Sequence, residues 1–246
     1  MPGIPTLTFA RFGTIPVLAQ NVPMLFHVFS STDQRAFIDK LQAFRAEVET
    51  KGDDAEFLKG MGGITATQPD FASAKAALLD SCNWQLSMCF RYSTPTRIAE
   101  AVPYLEEAIA YHTRQHPGKV DDTPEMYLGV ALHKQPGQEE AAIAHFRAAY
   151  DSSPEIGMQH NTQLWSRACF SRLLRRLGKI EEAKEQEDEI RDWLHWHPYG
   201  MPPSEFRALV TDPEHEGTNY ILEHPSVQNM FSNMVEIAPG MVMHFG

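Results

Sequence analysis

The sequence predicts an all-α fold of stacked antiparallel helical hairpins. The main observation is a repeat, because the same helical pattern recurs around three alanines spaced 41 residues apart, at Ala101, Ala142 and Ala183. A second observation is a turn glycine five residues before each of the last two alanines, at Gly137 and Gly178. Repeats of fixed period in this range are typical of helical hairpins that bury their apolar faces against one another.

Six helices are predicted from the apolar spacing, and they fall into three consecutive pairs. Apolar residues recur three and four positions apart, as one face of a helix requires. In the second helix of each pair, the alanines allow a partner helix to approach closely, and larger residues such as Leu105 and Phe146 fill the space beside them. The predicted pairs span residues 71–92 and 97–115, 123–134 and 138–151, and 161–177 and 180–195.

One more helix is predicted ahead of the pairs, in a segment of initial helix and linker at residues 31–69. Ser31 or Thr32 can cap its free amide groups. Its predicted apolar stripe comprises Phe37, Leu41, Phe44 and Val48, with Gly52 just beyond its end. The helical repeats themselves are assigned to residues 70–200.

The two ends of the chain are predicted to differ from the helical body. Residues 1–30 hold four prolines and a single charged residue, Arg11, which is typical of an extended apolar arm. Residues 201–246 are assigned to an acidic C-terminal cap and tail, because Arg207 is their only lysine or arginine against six acids. A capping helix is predicted over residues 225–236, with an apolar stripe comprising Val227, Met230, Phe231, Met234 and Val235.

The composition narrows the class of partner and the compartment. The formal net charge is −11, whereas nucleic-acid binding requires clustered Lys and Arg. No stretch reaches the roughly 20 apolar residues of a membrane-spanning helix. We therefore expect a protein or peptide partner, no nucleic acid and no membrane.

Three cysteines without a CxxC pair are typical of reduced, buried thiols. These features favour a cytoplasmic or nuclear protein over a mitochondrial one, which needs an Arg-rich helical presequence.

Residues 137–154 resemble the tetratricopeptide repeat family. In that motif a turn glycine is followed by an alanine, an aromatic residue four positions on, a further alanine and a terminal proline. The matching residues here are Gly137, Ala142, Phe146, Ala149 and Pro154, and Gly129 supplies the small residue of the preceding helix, displaced by one. The resemblance extends over residues 70–195. Because the period is 41 and the family's is about 34, longer loops between hairpins are expected.

The resemblance implies a superhelix whose first helices line a concave groove that binds a peptide or helix without catalysis. In the third pair we expect Trp165, Arg172, Arg175 and Arg176 to face that groove. Arginines beside an aromatic residue suit an acidic peptide, through bidentate pairing and stacking. Charge reversal at Arg172 and Arg175 is then expected to remove binding and to leave the melting temperature nearly unchanged.

The alternative for these arginines is structural. The helix that follows the turn begins with three acids that could pair with them, at Glu181, Glu182 and Glu185. In that case the arginines hold the last hairpin together, and the partner binds elsewhere.

No catalytic, cofactor or metal site is predicted from motifs. His112 and His116 have a spacing at which two imidazoles can share a metal, but no third ligand is apparent. His195 and His197 flank Trp196 at a predicted helix end, where packing is favoured. The alternative function is an enzyme, or a small-molecule or metal binder, with a pocket between the arm and the helices that uses His112, His116 or His197. A third possibility is that the arm and the acidic tail occupy the groove, which makes the chain self-inhibited or dimeric.

Overall fold

The computed structural model describes residues 30–59, 68, 70–93, 95–157, 160–197, 234–238 and 241–244. This part of the chain is predominantly helical, as predicted, and ends in one short pair of strands. The predicted arm at residues 1–30 lies almost entirely outside the described residues. The helices are α1 (Ser31–Lys51), α2 (Ala55–Lys59), α3 (Phe71–Tyr92), α4 (Val102–Gln115), α5 (Asp122–Leu132), α6 (Glu139–Ser152), α7 (His160–Arg176) and α8 (Ile180–Trp196), with a 3₁₀ turn at Ile98–Ala101 before α4.

Five of the six paired helices lie within two residues of their predicted bounds, whereas α4 begins five residues later than predicted, after the 3₁₀ turn. The three alanines that mark the repeat are all buried, at 1% exposure or less. The contacts divide the chain into two compact units, Met1–Pro124 and Glu125–Gly246. Among the described helices, none is both long enough and apolar enough to cross a membrane.

Helices α1 and α3 begin at side-chain caps. The hydroxyl of Ser30 accepts the backbone N–H of Asp33 at 3.2 Å, one residue earlier than the predicted cap at Ser31 or Thr32. The carboxylate of Asp70 accepts the N–H of Ser73 at 2.7 Å, and this bond lowers the pKa of Asp70. Because such caps satisfy amide groups that the first turn leaves open, they determine where each helix starts.

The first unit is built on α1, which packs against both α3 and α4. Arg45 Nε donates to Asn83 Oδ1 at 2.6 Å, and Arg45 also pairs with Glu107 on α4. Gln42 Nε2 donates to the hydroxyl of Tyr104 at 2.8 Å. Both contacts with α4 join residues 62 positions apart, so α1 and α4 run in parallel. A cluster of buried apolar side chains in this unit comprises Val48 of α1, Leu58 of α2, and Ala74 and Leu78 of α3.

The second unit contains two hairpins, α5–α6 and α7–α8. The Phe146 ring of α6 stacks on Phe170 of α7, with 4.9 Å between centroids. The Tyr150 hydroxyl bonds to that of Ser166 one turn away. The later residue of α6 contacts the earlier residue of α7, so these two helices are antiparallel. Gly129 of α5, which the sequence pattern identified as the small residue of its helix, faces the same Phe146 ring.

The turn between α7 and α8 depends on Gly178. Its φ of +74° is a left-handed conformation that favours glycine. The N–H of Lys179 bonds to the carbonyl of Leu174 at 2.9 Å, and the N–H of Gly178 to that of Arg175 at 3.0 Å. These two bonds form a Schellman motif, which satisfies the last carbonyls of α7. The turn glycine predicted here is therefore confirmed.

The C-terminal segment differs from the prediction. Residues 225–233 of the predicted capping helix lie outside the described residues, and its last three residues belong to a strand, β1 (Met234–Ala238). This strand pairs antiparallel with β2 (Met241–His244). The segment contains Val235 and Ile237, and β-branched residues favour strands. Pro239 and Gly240, which follow β1 in the sequence, favour a turn.

Candidate partner-binding surface

The four residues predicted to contact a partner all lie on α7, but in different surroundings. Arg172 is buried, with 4% exposure. Trp165 and Arg175 are partly buried, and Arg176 is exposed. Eleven of the twelve residues from 163 to 174 are buried, so this stretch of α7 lies within the unit rather than along an open face. Partner binding at these four residues stays a prediction.

Arg175 is held by α8. Its Nε and Nη2 atoms donate to the two carboxylate oxygens of Glu187, each at 2.6 Å. The Glu187 side chain is only 1% exposed. A buried carboxylate needs a partner charge with good geometry, which the bidentate guanidinium provides. The structural alternative considered above therefore applies to Arg175, with Glu187 as the acid in place of Glu181, Glu182 or Glu185.

Arg176 contacts the C-terminal end of α5. Its Nη2 donates to the backbone carbonyl of His133 at 2.5 Å. Carbonyls at a helix C-terminus lack partners within the helix and carry partial negative charge, so a guanidinium stabilises them. At the other end of the same helices, the Trp165 ring lies 6.2 Å from that of Tyr127. The two contacts join residues 38 and 43 positions apart, so α5 and α7 run in parallel.

The face of α5 that was expected to line the groove is buried. Every residue from Glu125 to His133 is buried. These nine consecutive residues make two and a half turns, so every face of the helix is covered. The first helices of the hairpins therefore do not present an open groove along α5. Among the described helices of this unit, the exposed residues lie mainly on the second helices, α6 and α8.

Arg167, which the sequence did not single out, is a buried arginine of α7 that contacts α6, the loop after it and α8. It is 3% exposed, and burial lowers its pKa. Its guanidinium lies 4.1 Å from the centre of the Tyr150 ring and donates to the carbonyl of Pro154 at 2.7 Å and to Gln186 at 2.8 Å. Arg167 and Arg175 are eight residues apart, which places both arginines on one face of α7. This spacing is the signal by which the sequence could have pointed to Arg167.

A small crevice lies between α6, α7 and α8. It encloses about 200 Å³ and is lined by Tyr150, Phe170 and Leu174 on its apolar side and by Arg147, Asp151, Glu182, Glu185 and Gln186 on its polar side. Arg147 pairs with Glu182 at 2.6 Å across the two helices, and both side chains are largely exposed. The second helices of the two hairpins thus approach each other at a polar, solvent-facing surface.

The outer face of α8 is strongly acidic. The helix carries seven carboxylates against one lysine and one arginine. Four exposed acids follow one another at spacings of four, three and four residues, which places them on one face; they are Glu181, Glu185, Asp188 and Asp192. Lys184 and Arg191 each pair with one of these acids, at 3.1 and 2.9 Å. We refer to Glu181, Glu185, Asp188 and Asp192 as the acidic face.

The histidines noted in the sequence make ring contacts. The rings of His112 and His116 lie 4.9 Å apart. The ring of Trp193 stacks between those of His160 and His197, at 4.9 and 4.4 Å, and His195 meets the edge of Trp196. Among the described residues, no group of three or more His, Cys, Asp or Glu is placed to hold a metal ion.

The cysteines are free and buried, as predicted. Burial raises the pKa of Cys82 and of Cys89 to about 12. Because the thiolate is the reactive form, these two thiols are unreactive in the folded protein.

Comparison with known proteins adds no relative to this picture. No protein-family model, curated protein or solved structure matches the chain.

Proposed function

We propose that this chain is a tetratricopeptide-like scaffold that binds another protein without catalysis. The observation that supports this most directly is the parallel arrangement of α5 and α7. Their contacts join residues 38 and 43 positions apart, on either side of the 41-residue period of the sequence. Equivalent helices of successive hairpins stack in this way in repeat proteins, whose exposed surfaces serve as binding sites.

The proposed partner is a basic helix or peptide, and the proposed surface is the acidic face of α8. Arg172 is buried and Arg175 is neutralised by Glu187, so little positive charge on α7 is available for the acidic peptide that the sequence suggested. The exposed charge of the last hairpin is negative, and so is the whole chain. Complementary charge steers association and selects partners.

Charge reversal on the acidic face tests this proposal. Two fluorescent helical peptides of equal length, one rich in Lys and the other rich in Glu, serve as probes in anisotropy titrations at low and moderate salt. We expect the basic peptide to bind, and the variant Glu185→Lys/Asp192→Lys to weaken it roughly tenfold, which corresponds to about 1.4 kcal/mol. The acidic peptide should not bind the wild-type chain.

The control places the same charge change elsewhere. Asp39→Lys/Glu106→Lys alters two exposed acids on α1 and α4. Equal weakening by both variants would show that the net charge alone attracts the peptide, against the proposed surface. Binding of the acidic peptide, lost in Arg176→Glu, would instead place the site at α7, as the sequence predicted.

A further inference from the structure

The crevice between α6, α7 and α8 has an apolar floor and an acidic rim. The floor is formed by three buried side chains, those of Tyr150, Phe170 and Leu174. The rim carries three carboxylates and one guanidinium, from Asp151, Glu182, Glu185 and Arg147. The volume of about 200 Å³ is below the roughly 300–1,000 Å³ that is usual for small-molecule sites. The crevice therefore suits a single side chain better than a cofactor or a metabolite.

Two of the rim carboxylates are available to a partner. Glu182 pairs with Arg147 at 2.6 Å, whereas Asp151 and Glu185 form no ion pair with any residue in the described ranges. Both of these acids are exposed, and they lie on different helices, α6 and α8. A cation that enters the crevice can therefore be contacted from both helices at once.

A guanidinium of this chain already contacts two residues that line the crevice. The Arg167 guanidinium lies 4.1 Å from the centre of the Tyr150 ring and donates to Gln186 at 2.8 Å. Its charge opposes that of an incoming cation. The three rim carboxylates nevertheless outnumber the two arginines, Arg147 and Arg167, so the net charge around the crevice is negative.

We propose that the crevice takes up one arginine side chain of the basic partner. The guanidinium is bound by Asp151 and Glu185, and the methylene groups pack on the apolar floor. A planar guanidinium donates to two carboxylates in a fixed geometry and is more weakly hydrated than an ammonium group, so arginine is favoured over lysine. This inference rests on the proposed function, because Glu185 belongs to both the crevice and the acidic face.

Two helical peptides of equal length and net charge test this inference with the full chain. One is rich in Lys throughout, and the other has a single Arg in place of its central Lys. In anisotropy titrations we expect the Arg peptide to bind roughly fivefold tighter than the Lys peptide, because the guanidinium can bridge the two carboxylates. In Asp151→Asn the two peptides should bind equally.

Glu140→Gln is the matched control for Asp151→Asn. It removes an exposed acid from the same helix, outside the crevice, and should keep the preference for Arg. Arg147→Met provides a second measurement, because it removes the guanidinium that pairs with Glu182 and leaves a third carboxylate to the peptide. In this variant the preference for Arg should increase.

The outcomes separate this inference from the proposed function. Equal affinity of the wild-type chain for the two peptides would overturn the inference and leave the proposed function standing. A preference for Arg that persists in Asp151→Asn would also overturn it, since the arginine would then bind elsewhere. If neither peptide binds, the proposed function fails and this inference fails with it.

Discussion

At the scale of single residues, the arginines of α7 stabilise the last hairpin, and these contacts limit their availability to a partner. Arg175 neutralises a carboxylate that is 1% exposed, and Arg167 joins the α6–α7 loop to α8. A buried ion that loses its partner is strongly destabilising. The sequence led us to expect that charge reversal at Arg172 and Arg175 leaves the melting temperature nearly unchanged. The structure changes this expectation: charge reversal at these two residues should lower the melting temperature.

Truncation of Arg175 measures this role. We expect Arg175→Met to lower the free energy of unfolding by about 3–5 kcal/mol, because Glu187 remains buried without its counter-charge. The measurement is chemical denaturation followed by circular dichroism. The double variant Arg175→Met/Glu187→Leu should recover most of the loss, since it leaves no buried ion.

The exposed pair between Arg147 and Glu182 provides the control. Its side chains are 53% and 42% exposed, and exposed ion pairs contribute about 0–1 kcal/mol. We therefore expect little change in Arg147→Met. A loss in Arg175→Met that is as small as this would contradict the structural role of the Arg175–Glu187 pair.

At the scale of helices, local sequence signals determine where each helix begins and ends. Packing against neighbouring helices determines how the helices are arranged. Ser30 and Asp70 cap the N-termini of α1 and α3, and Gly178 ends α7. Such signals act over a few residues, which is why most bounds of the paired helices were predicted closely. The strand at Met234–Ala238 was missed because its apolar residues fit both periodicities over a short segment.

The contact between α5 and α6 yields a prediction at this scale. A Cβ atom added at Gly129 would lie 2.8 Å from two ring atoms of Phe146, whose ring is also stacked on Phe170. Overpacking costs about 1–3 kcal/mol, and the better helix propensity of alanine offsets about 1 kcal/mol. We expect Gly129→Ala to lower the free energy of unfolding by up to about 2 kcal/mol, the difference between these two effects, as measured by thermal or chemical denaturation.

Gly157→Ala is the matched control for Gly129→Ala. A Cβ at Gly157 meets no atom within 4 Å, so this variant should change stability very little. The double variant Gly129→Ala/Phe146→Leu should respond less to the added methyl group than the wild-type background does, because leucine leaves room beside it. A Gly129→Ala variant that is more stable than the wild type by about 1 kcal/mol, the propensity gain alone, would contradict the close approach of Gly129 to the Phe146 ring.

At the scale of the whole molecule, the buried thiols report the opening of each unit. Cys82 and Cys89 lie on α3 in the first unit, and Cys169 lies on α7 in the second. With Ellman's reagent we expect no reaction in the native chain and complete reaction after denaturation. In intermediate denaturant, Cys82 and Cys89 should become reactive together, because they share one helix.

Mass spectrometry of the labelled chain separates the two units. Cys169 is expected to follow its own denaturant dependence, since the contacts divide the chain between Pro124 and Glu125. Simultaneous labelling of all three cysteines would show instead that the chain opens as one cooperative body. Rapid labelling of Cys82 in the native chain would contradict the burial of α3.

Sequence signals were sufficient to predict the helical class, most of the hairpin bounds and the turn glycine at Gly178. These features depend on caps, glycines and apolar spacing, whose physical effects extend over one or two turns. The contacts of the charged residues, by contrast, depend on the folded arrangement of the helices. Arg175 meets Glu187 twelve positions away, and Arg176 meets His133 at 43. Whether an arginine is a binding residue or a structural one depends on the burial of such distant groups, and burial is a property of the assembled helices.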